Sequence, residues 1–355
     1  MSKANAEDLP ESDAFEGAPH PRSRPRLIGH DAAEAAILEA YRSGKLAHAW
    51  LIGGPEGVGK ATLAWRFARF VLCHPDPNAP VVSAARDLSV NPQHLAARML
   101  AAGSHPDFRL VRRGWDSEAK RLKTEIAKAD IDEALGLFHL SASSGGWRVC
   151  LIDCAEDLNQ NGANALLKMI EEPPQRALIL IIAHRPGQVL ATIRSRCRKL
   201  LLAPLAPGAI ATIVAELGEP WRSSPPEQIE AAARLAQGSV REALRRLDPA
   251  TMAISAQINA AVARLPRSDL RAAHRLADQL SSRAAQESFG AFNLALYDWL
   301  ADRARSATNS RQREAISALW ERLRAATRET ESLNLDRKLH VLSVLADFAE
   351  RADIL

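Results

Sequence analysis

The chain has 355 residues, more than one compact core normally holds, and this length predicts two or three domains. Hydrophobic residues make up 47% and charged residues 25% of the sequence, a balance that excludes a mostly disordered, collagen-like or disulfide-scaffold protein. The net charge of +4 is small for this length, so it permits contact with nucleic acid but confines that contact to a local patch.

The first 25 residues are polar and are interrupted by four prolines, which predicts a disordered segment at 1–25. They contain no apolar run like the core of a signal peptide. Nowhere does the sequence approach the roughly 18 consecutive apolar residues of a membrane span. We therefore expect a cytoplasmic protein without membrane contact.

Between residues 26 and 205, short apolar runs typical of buried strands alternate with helical patterns. This alternation predicts an α/β domain with a parallel sheet that helices cover on both faces. Residues 74–104 have weak periodicity and predict an irregular insertion with short helices. The predicted strands lie at 49–52, 108–111, 148–153 and 178–183, and the predicted helices lie at 30–42, 60–72, 126–140 and 161–172.

After residue 205 the strand patterns end and helical patterns continue to the C-terminus. Residues 206–250 predict a small helical domain, and residues 251–355 predict an all-helical domain of longer amphipathic helices. We expect the apolar positions that share helix faces to pack together. These include Phe289, Phe292, Leu296, Trp299 and Leu300, then Ile316, Leu319, Trp320 and Leu323, and finally Leu335, Leu339, Leu342 and Leu345.

A glycine-rich segment between a predicted strand and a predicted helix fits the phosphate-binding pattern G-x-x-x-x-G-K. Gly54, Gly57 and Gly59 allow successive backbone N–H groups to turn toward phosphate oxygens. Lys60 would reach the β- and γ-phosphates, and the helix that follows offers its positive N-terminus. The segment therefore predicts a P-loop fold with a candidate site for ATP or ADP.

Two positions depart from an active P-loop ATPase. Ala61 replaces the residue whose hydroxyl normally binds Mg²⁺, and Thr62 lies about 100° further around the helix. Asp153 closes a predicted strand as a metal-binding carboxylate would, but Cys154 follows it, where a water-polarising glutamate is expected. Glu156 and Asp157 lie past the predicted strand end. These changes predict a degenerate site, to which Mg²⁺ would come only with a nucleotide.

Seven segments of the sequence form a recognisable series in their order and spacing. They are AHAWLIGGPEGVGK at 47–60, SHPDF at 104–108, LIDCAEDLNQNGANALLK at 151–168, ALLKMIEEPP at 165–174, TIRSRC at 192–197, GSVREAL at 238–244 and LNLDRKL at 333–339. In this series the chain resembles the delta-prime family of bacterial DNA polymerase III clamp-loader subunits, which are AAA+ proteins. The resemblance runs from about residue 26 to the C-terminus.

The resemblance implies an α/β P-loop core of the RecA-like AAA+ type at 26–205, a helical lid at 206–250 and a C-terminal helical collar at 251–355. It also implies a hetero-oligomer with motor and delta subunits that loads a sliding clamp on primed DNA. This chain would then belong to a DNA polymerase (nucleotidyltransferase) holoenzyme without performing polymerase chemistry, and its own ATPase activity would be absent or weak.

The resemblance also implies roles for individual residues. Arg196, in the SRC motif, would be an arginine finger that acts in trans on ATP held by a neighbouring subunit, since a planar, permanently charged guanidinium suits a γ-phosphate. Arg241 occupies the sensor-2 position of the lid. The sensor-1 position falls near Ala183 and His184, where the hydroxyl of a Ser or Thr is missing.

The family comparison bears on zinc as well. Clamp-loader motors and many delta-prime chains carry four zinc-binding cysteines between the P-loop and the acidic strand. Here only Cys73 lies in that interval, apart from Cys150 on the strand itself. Four-coordinate zinc needs more ligands, so we predict no zinc and a replaced module at 74–104. The chain's four cysteines, which include Cys154 and Cys197, are also too few and scattered for a disulfide framework.

Three functions stay open from the sequence. The first is a largely ATPase-deficient stator of the clamp loader that supplies Arg196 in trans. The second is an active ATPase motor of the same loader, which the intact Gly54, Gly59, Lys60 and Asp153 favour. The third is a P-loop phosphotransferase or an unrelated DNA-dependent remodeller. The SRC motif and the long helical tail argue against a small-molecule kinase.

Overall fold

The computed structural model describes residues 11–15, 17–143, 146–264, 269–282 and 285–352. These residues divide into two compact units. The first unit takes its described residues from Met1–Ser223 and Ala236–Arg241, and the second from Ser224–Leu235 and Glu242–Leu355. The three-domain division with boundaries near residues 205 and 250 stays a prediction.

A parallel sheet of five strands forms the centre of the first unit and confirms the predicted α/β class. A small antiparallel hairpin accompanies it. The sheet strands are β1 (Ala49–Gly53), β2 (Phe108–Arg112), β5 (Arg148–Asp153), β6 (Ala177–Ala183) and β7 (Arg198–Leu201), and the hairpin strands are β3 (Trp115–Asp116) and β4 (Arg121–Leu122). Across the sheet the strands follow the order β2-β5-β6-β1-β7.

Helices cover both faces of this sheet, so its inner strands are buried on both sides. Side chains of a strand alternate between faces: Trp50 and Ile52 belong to one apolar core, Ala49 and Leu51 to the other. The helices of this part are α1 (Asp31–Arg42), α2 (Lys60–Cys73), α3 (Pro80–Ala84), α4 (Leu95–Ala101), α5 (Lys128–Leu135), α6 (Gln160–Glu171), α7 (Ala191–Arg196) and α8 (Pro207–Glu216).

The parallel strands give the sheet two chemically different edges. Gly53 is opposite both Ala183 and Leu201, and Asp153 is opposite Arg112, so these strand ends lie along one edge. The P-loop follows Gly53 directly and therefore begins at this carboxyl edge. The opposite edge carries the strand starts, where Arg198 is paired with Trp50.

The predicted strands and helices of the α/β part are confirmed to within a few residues, with one clear difference. The helix predicted at 126–140 is α5 followed by a 3-10 turn at Gly136–His139, and it starts only at Lys128. Helix α7 and strand β7 were not predicted, because Arg198 and Lys199 interrupt the apolar pattern of an edge strand that is largely exposed. The short helices α3 and α4 confirm the prediction for residues 74–104.

The disorder predicted for residues 1–25 needs a correction. Residues 1–10 lie outside the described residues, but much of the remainder is held against the α/β unit. The guanidinium of Arg112 forms ion pairs with both Glu11 and Asp13. Low hydrophobicity suggested disorder at this segment, whereas ion pairs to a distant strand order it.

The second unit is helical, as predicted, and its core joins residues of several helices. Phe289, Phe292 and Leu296 are buried there, together with the Ile316 and Leu319 that the sequence placed on the next face. The helices from residue 226 onward are α9 (Pro226–Leu235), α10 (Val240–Leu247), α11 (Pro249–Val262), α12 (Leu270–Ser281), α13 (Gln286–Ser306), α14 (Ser310–Ser332) and α15 (Arg337–Glu350).

The leucine face predicted near the C-terminus is confirmed for only two of its four residues. Leu342 and Leu345 are partly buried and pack against the core, whereas Leu335 and Leu339 are exposed. Leu339 is 66% exposed, and the buried positions of α15 are His340, Val341, Val344 and Phe348. These recur at helical spacing and define the inward face, so a leucine two residues before Val341 points away from it. No helix within the described ranges is both long and apolar enough to cross a bilayer.

A buried ion pair between α1 and α2 offers a stability test of this fold. Arg66 donates from Nε and Nη2 to the Glu34 carboxylate at 2.8 and 2.6 Å, and both side chains are almost fully buried. Glu34→Ala leaves a buried guanidinium unpaired, so it should destabilise the α/β unit by about 3 to 5 kcal/mol in urea unfolding. The matched control Asp132→Ala breaks an exposed i,i+4 pair with Lys128 and should cost no more than about 0.5 kcal/mol. Equal losses in the two variants would contradict a special role for the buried pair.

Candidate functional site

The glycine loop between β1 and α2 has the left-handed backbone of a phosphate cradle. Gly54, Gly57 and Gly59 have φ angles of +145°, +77° and +107°, which favour glycine. At Gly57 a Cβ atom would overlap Ser239 and lie 2.9 Å from the backbone nitrogen of Arg241. The loop is therefore closely packed against the segment that carries Arg241, and only glycine fits there.

Lys60 begins α2 and is only 3% exposed. Its Nζ donates hydrogen bonds to the carbonyl oxygens of Gly54, at 2.7 Å, and Pro55, at 2.5 Å. Burial lowers the pKa of Lys60 to about 8, although the nearby Asp153 raises it. The ammonium is thus held by carbonyls of the loop itself, in the place from which it would contact a phosphate.

Asp153 ends β5 beside this lysine and is 8% exposed. Burial raises the pKa of Asp153 to about 7; the charge of Asp13 also raises it, and that of Lys60 lowers it. In the first turn of α2, Ala61 packs against the apolar core and Thr62 is half-buried. A carboxyl group is therefore in the expected place, while position 61 offers no hydroxyl to a metal.

Glu156 is a site residue that was not predicted, because the sequence places it past the strand end. It sits in a short 3-10 turn, where its Oε2 accepts a hydrogen bond from the Cys154 thiol at 2.8 Å. Its charge also raises the pKa of Lys60, so it acts electrostatically on the P-loop. The sequence feature that could have predicted this position is that Glu156 lies two residues after Cys154, so that a short turn brings it back to the strand end.

Ala183 and His184 lie near the position that the resemblance predicts for sensor 1. Ala183 ends β6 and is fully buried, and His184 follows it. Burial, followed by the charge of Lys60, lowers the pKa of the His184 imidazole. Its Nδ1 has no hydrogen-bond partner within the described part of the chain. The lowered pKa favours a neutral imidazole at this position.

Arg241 lies at the P-loop, which is where a sensor-2 arginine would be needed. Its Nε is 3.1 Å from Oε1 of Glu56, a residue of the loop. Its guanidinium also lies over the ring of Phe15, 5.5 Å from the ring centre. The structure therefore brings together the loop glycines, Lys60, Asp153 and Arg241 at the carboxyl edge of the sheet.

Arg196 does not join them, because it lies at the opposite edge. It ends α7, two residues before the Arg198 that pairs with Trp50 at the start of the sheet. A parallel strand rises about 3.3 Å per residue, so the stretch from Trp50 to Gly53 alone separates the edges by about 10 Å. The Arg196 side chain is 42% exposed, and its Nε is 2.9 Å from Oε1 of Glu171.

Comparison with known proteins agrees with this arrangement of motifs. The sequence profile described as DNA polymerase III, delta subunit, matches residues 29–206. The DNA polymerase III subunit delta' of Pseudomonas aeruginosa is 32% identical over 257 residues, which cover 72% of this chain and 70% of that protein. The chain belongs to the DNA polymerase III delta-subunit family, as a clamp-loader subunit of the delta-prime type.

Two further similarities were found for this family member. The delta' subunit of Yersinia pestis is 29% identical over 66% of this chain and 65% of its own length. A solved structure of a DNA polymerase III gamma subunit-related protein from Thermotoga maritima is 17% identical. It covers 89% of this chain and 99% of its own, with a TM-score of 0.43.

The cysteines of this delta-prime-type chain are all free and buried. Burial raises the thiol pKa of Cys73 and of Cys197 to about 11 and that of Cys150 to about 12. Buried thiols of high pKa are poor metal ligands, because the thiolate is the binding form. The absence of zinc stays a prediction.

The raised pKa of Asp153 predicts how stability depends on pH. The folded pKa of about 7 lies above the unfolded value of about 3.9. This group's contribution to stability is therefore fully present below about pH 4 and is lost progressively as pH rises from there to about 7. Asn cannot ionise, so the Asp153→Asn variant does not lose this stability as pH rises. The unfolding free energy of the variant relative to the wild type should therefore increase by roughly 2 to 3 kcal/mol between pH 4.5 and pH 8. Urea unfolding at the two pH values measures the difference.

The matched control is Asp132→Asn, a change at an exposed carboxylate on α5. Its unfolding profile should run parallel to the wild type over the same pH range. If the pH profile of unfolding for Asp153→Asn also ran parallel to that of the wild type, Asp153 would not be a buried, protonated carboxyl.

Proposed function

We propose that this chain is a stator of the replicative DNA polymerase III clamp loader. In a hetero-oligomer with motor and delta subunits, it supplies Arg196 in trans to ATP on a neighbouring motor. It thereby helps to place the sliding clamp on primed DNA. The observation that carries the proposal is the exposed Arg196 at the sheet edge opposite the chain's own P-loop.

The surroundings of Arg196 suit a group that acts on another molecule. Its pair with Glu171 is roughly half exposed on both sides, so it is worth no more than about 1 kcal/mol. A γ-phosphate offers a stronger, multiply charged partner for the same planar guanidinium. Exchanging Glu171 for phosphate would therefore cost little and would place positive charge where negative charge develops in ATP hydrolysis.

The chain's own nucleotide site supports the stator role for a separate reason. Ala61 supplies no metal-binding hydroxyl, Cys154 replaces a carboxylate, and His184 stands at the sensor-1 position. In the proposal, ATP or ADP binding is compatible with Gly54, Lys60 and the rest of the cradle, Mg²⁺ comes only with nucleotide, and no zinc is bound. Fast hydrolysis is not part of the proposed role.

An active motor is the second candidate, and one observation favours it. The Glu156 carboxylate lies at the Cys154 thiol, close to where a water-polarising glutamate would stand. If this chain were a motor, the purified protein would hydrolyse ATP, and Glu156→Gln or Lys60→Ala would abolish turnover. The stator proposal expects negligible turnover in the purified wild type, so robust hydrolysis would overturn it.

The proposed location and contacts follow the same role. The chain would act in the cytoplasm, without membrane contact, with residues 251–355 as the collar that joins the subunits. Its DNA contacts would be made to phosphates and shared around the assembled loader, consistent with a net charge of only +4.

The decisive test replaces Arg196 in a loader reconstituted from this chain, the motor and delta subunits and the clamp. Arg196→Ala should reduce DNA-stimulated ATP turnover at the neighbouring motor by about 10³-fold, the low end for arginine fingers, and should slow clamp loading. Arg196→Lys should not restore it, because an ammonium lacks the planar fork.

The control is Lys199→Ala, which removes a nearby exposed charge on β7. It should leave turnover and assembly unchanged. Unchanged DNA-stimulated turnover with Arg196→Ala, in a loader that still assembles, would remove the trans role.

A further inference from the structure

Residues 11–15, which we call the N-terminal strap, are held on the α/β unit by charge. Nη2 of Arg112 donates to Oε1 of Glu11 at 2.5 Å, and Nη1 donates to Asp13. The Asp13 side chain is fully buried, and its Oδ2 is also 3.0 Å from Nε2 of His20. The two strap carboxylates are thus fixed by Arg112 on one side of the segment.

That anchor lies at the nucleotide site. Arg112 ends β2 and is directly opposite Asp153 in the sheet, at the carboxyl edge where the P-loop begins. Asp13 is near enough to Asp153 for its charge to raise the pKa of that carboxyl, in addition to the effect of burial. The strap therefore brings negative charge to the place where a metal and phosphates would have to fit.

The last two residues of the strap are held by Arg241, the arginine that the resemblance assigns to the sensor-2 position. Nη1 of Arg241 donates to the carbonyl oxygen of Ala14 at 3.4 Å, and its guanidinium covers the ring of Phe15. The same ring lies 6.2 Å from the ring of Trp221. A guanidinium that would face a γ-phosphate is therefore occupied by Glu56 from the loop and by the strap.

We propose that the N-terminal strap closes this chain's own nucleotide site and competes with ATP or ADP for it. Arg112 holds Glu11 and Asp13, Arg241 holds Ala14 and Phe15, and the Asp13 carboxylate acts on Asp153, at the edge where anionic phosphates would bind. The proposal deepens the proposed function, since it rests on the P-loop being a nucleotide site. It explains how a stator keeps that site free while Arg196 serves a neighbour.

Competition by the strap would change the apparent affinity for nucleotide by a measurable factor. A nucleotide binds only when the strap is displaced, so the apparent dissociation constant equals the intrinsic one divided by the fraction of open molecules. Removing residues 2–15 should therefore strengthen binding of a fluorescent ADP or ATP analogue by about tenfold or more. The matched control removes residues 2–10 and keeps the strap, and its affinity should equal that of the full chain.

Fluorescence titration and calorimetry of the three proteins, with Mg²⁺, decide between these outcomes. Equal affinity in all three, or no detectable binding in any of them, would overturn the proposal. Circular dichroism and the urea midpoint show whether the shortened chain keeps its fold.

If removal of the strap unfolds the chain, the Phe15→Ala variant tests the competition between strap and nucleotide instead. It removes only the ring under Arg241, so affinity should rise about threefold, and an unchanged affinity would overturn the proposal. These outcomes are independent of the stator role. Loss of ATP turnover on Arg196→Ala in the assembled loader would stand even if the strap had no effect on nucleotide binding.

Discussion

The parallel direction of five strands is the constraint on which the other features depend. Because every strand runs the same way, residues that follow strands collect at one edge and residues that precede them collect at the other. The P-loop after Gly53 and the carboxyl of Asp153 share the first edge, while Arg196 precedes β7 at the second. On the proposed role, the chain presents parts of two different sites, one of its own and one completed by a neighbour.

The two edges also differ in how their charges are held. At the carboxyl edge, Lys60 is buried and bound by loop carbonyls, and Arg241 is paired with Glu56 and covers Phe15. At the amino edge, Arg196 is exposed. It is held by a weak ion pair with Glu171 and by exposed hydrogen bonds to the Thr192 carbonyl and the Ser195 hydroxyl. A desolvated group with fixed partners, such as Lys60, is costly to rearrange, whereas an exposed pair exchanges readily. This contrast supports an inactive own site together with an arginine available to another subunit.

Much of the fold and part of the site could be predicted from local patterns. Alternating apolar runs and the G-x-x-x-x-G-K spacing identified the parallel sheet, the P-loop, Lys60 and Asp153, because these depend on residues close in sequence. Strand β7 was not predicted, because an exposed edge strand needs no apolar pattern in its sequence. The strap was not predicted because Arg112 lies about a hundred residues beyond the carboxylates that it binds. Glu156 was not predicted because only a short turn returns it to the strand end.

The proposed stator role requires that the arginine of this chain meets a nucleotide held by another subunit. The direct measurement uses an assembled loader and an ATP analogue with a photoreactive group on its γ-phosphate, followed by mass spectrometry of the labelled peptides. When a neighbouring motor holds the analogue, label on this chain should fall within residues 191–198. Label confined to residues 54–62 of this chain would contradict the trans role.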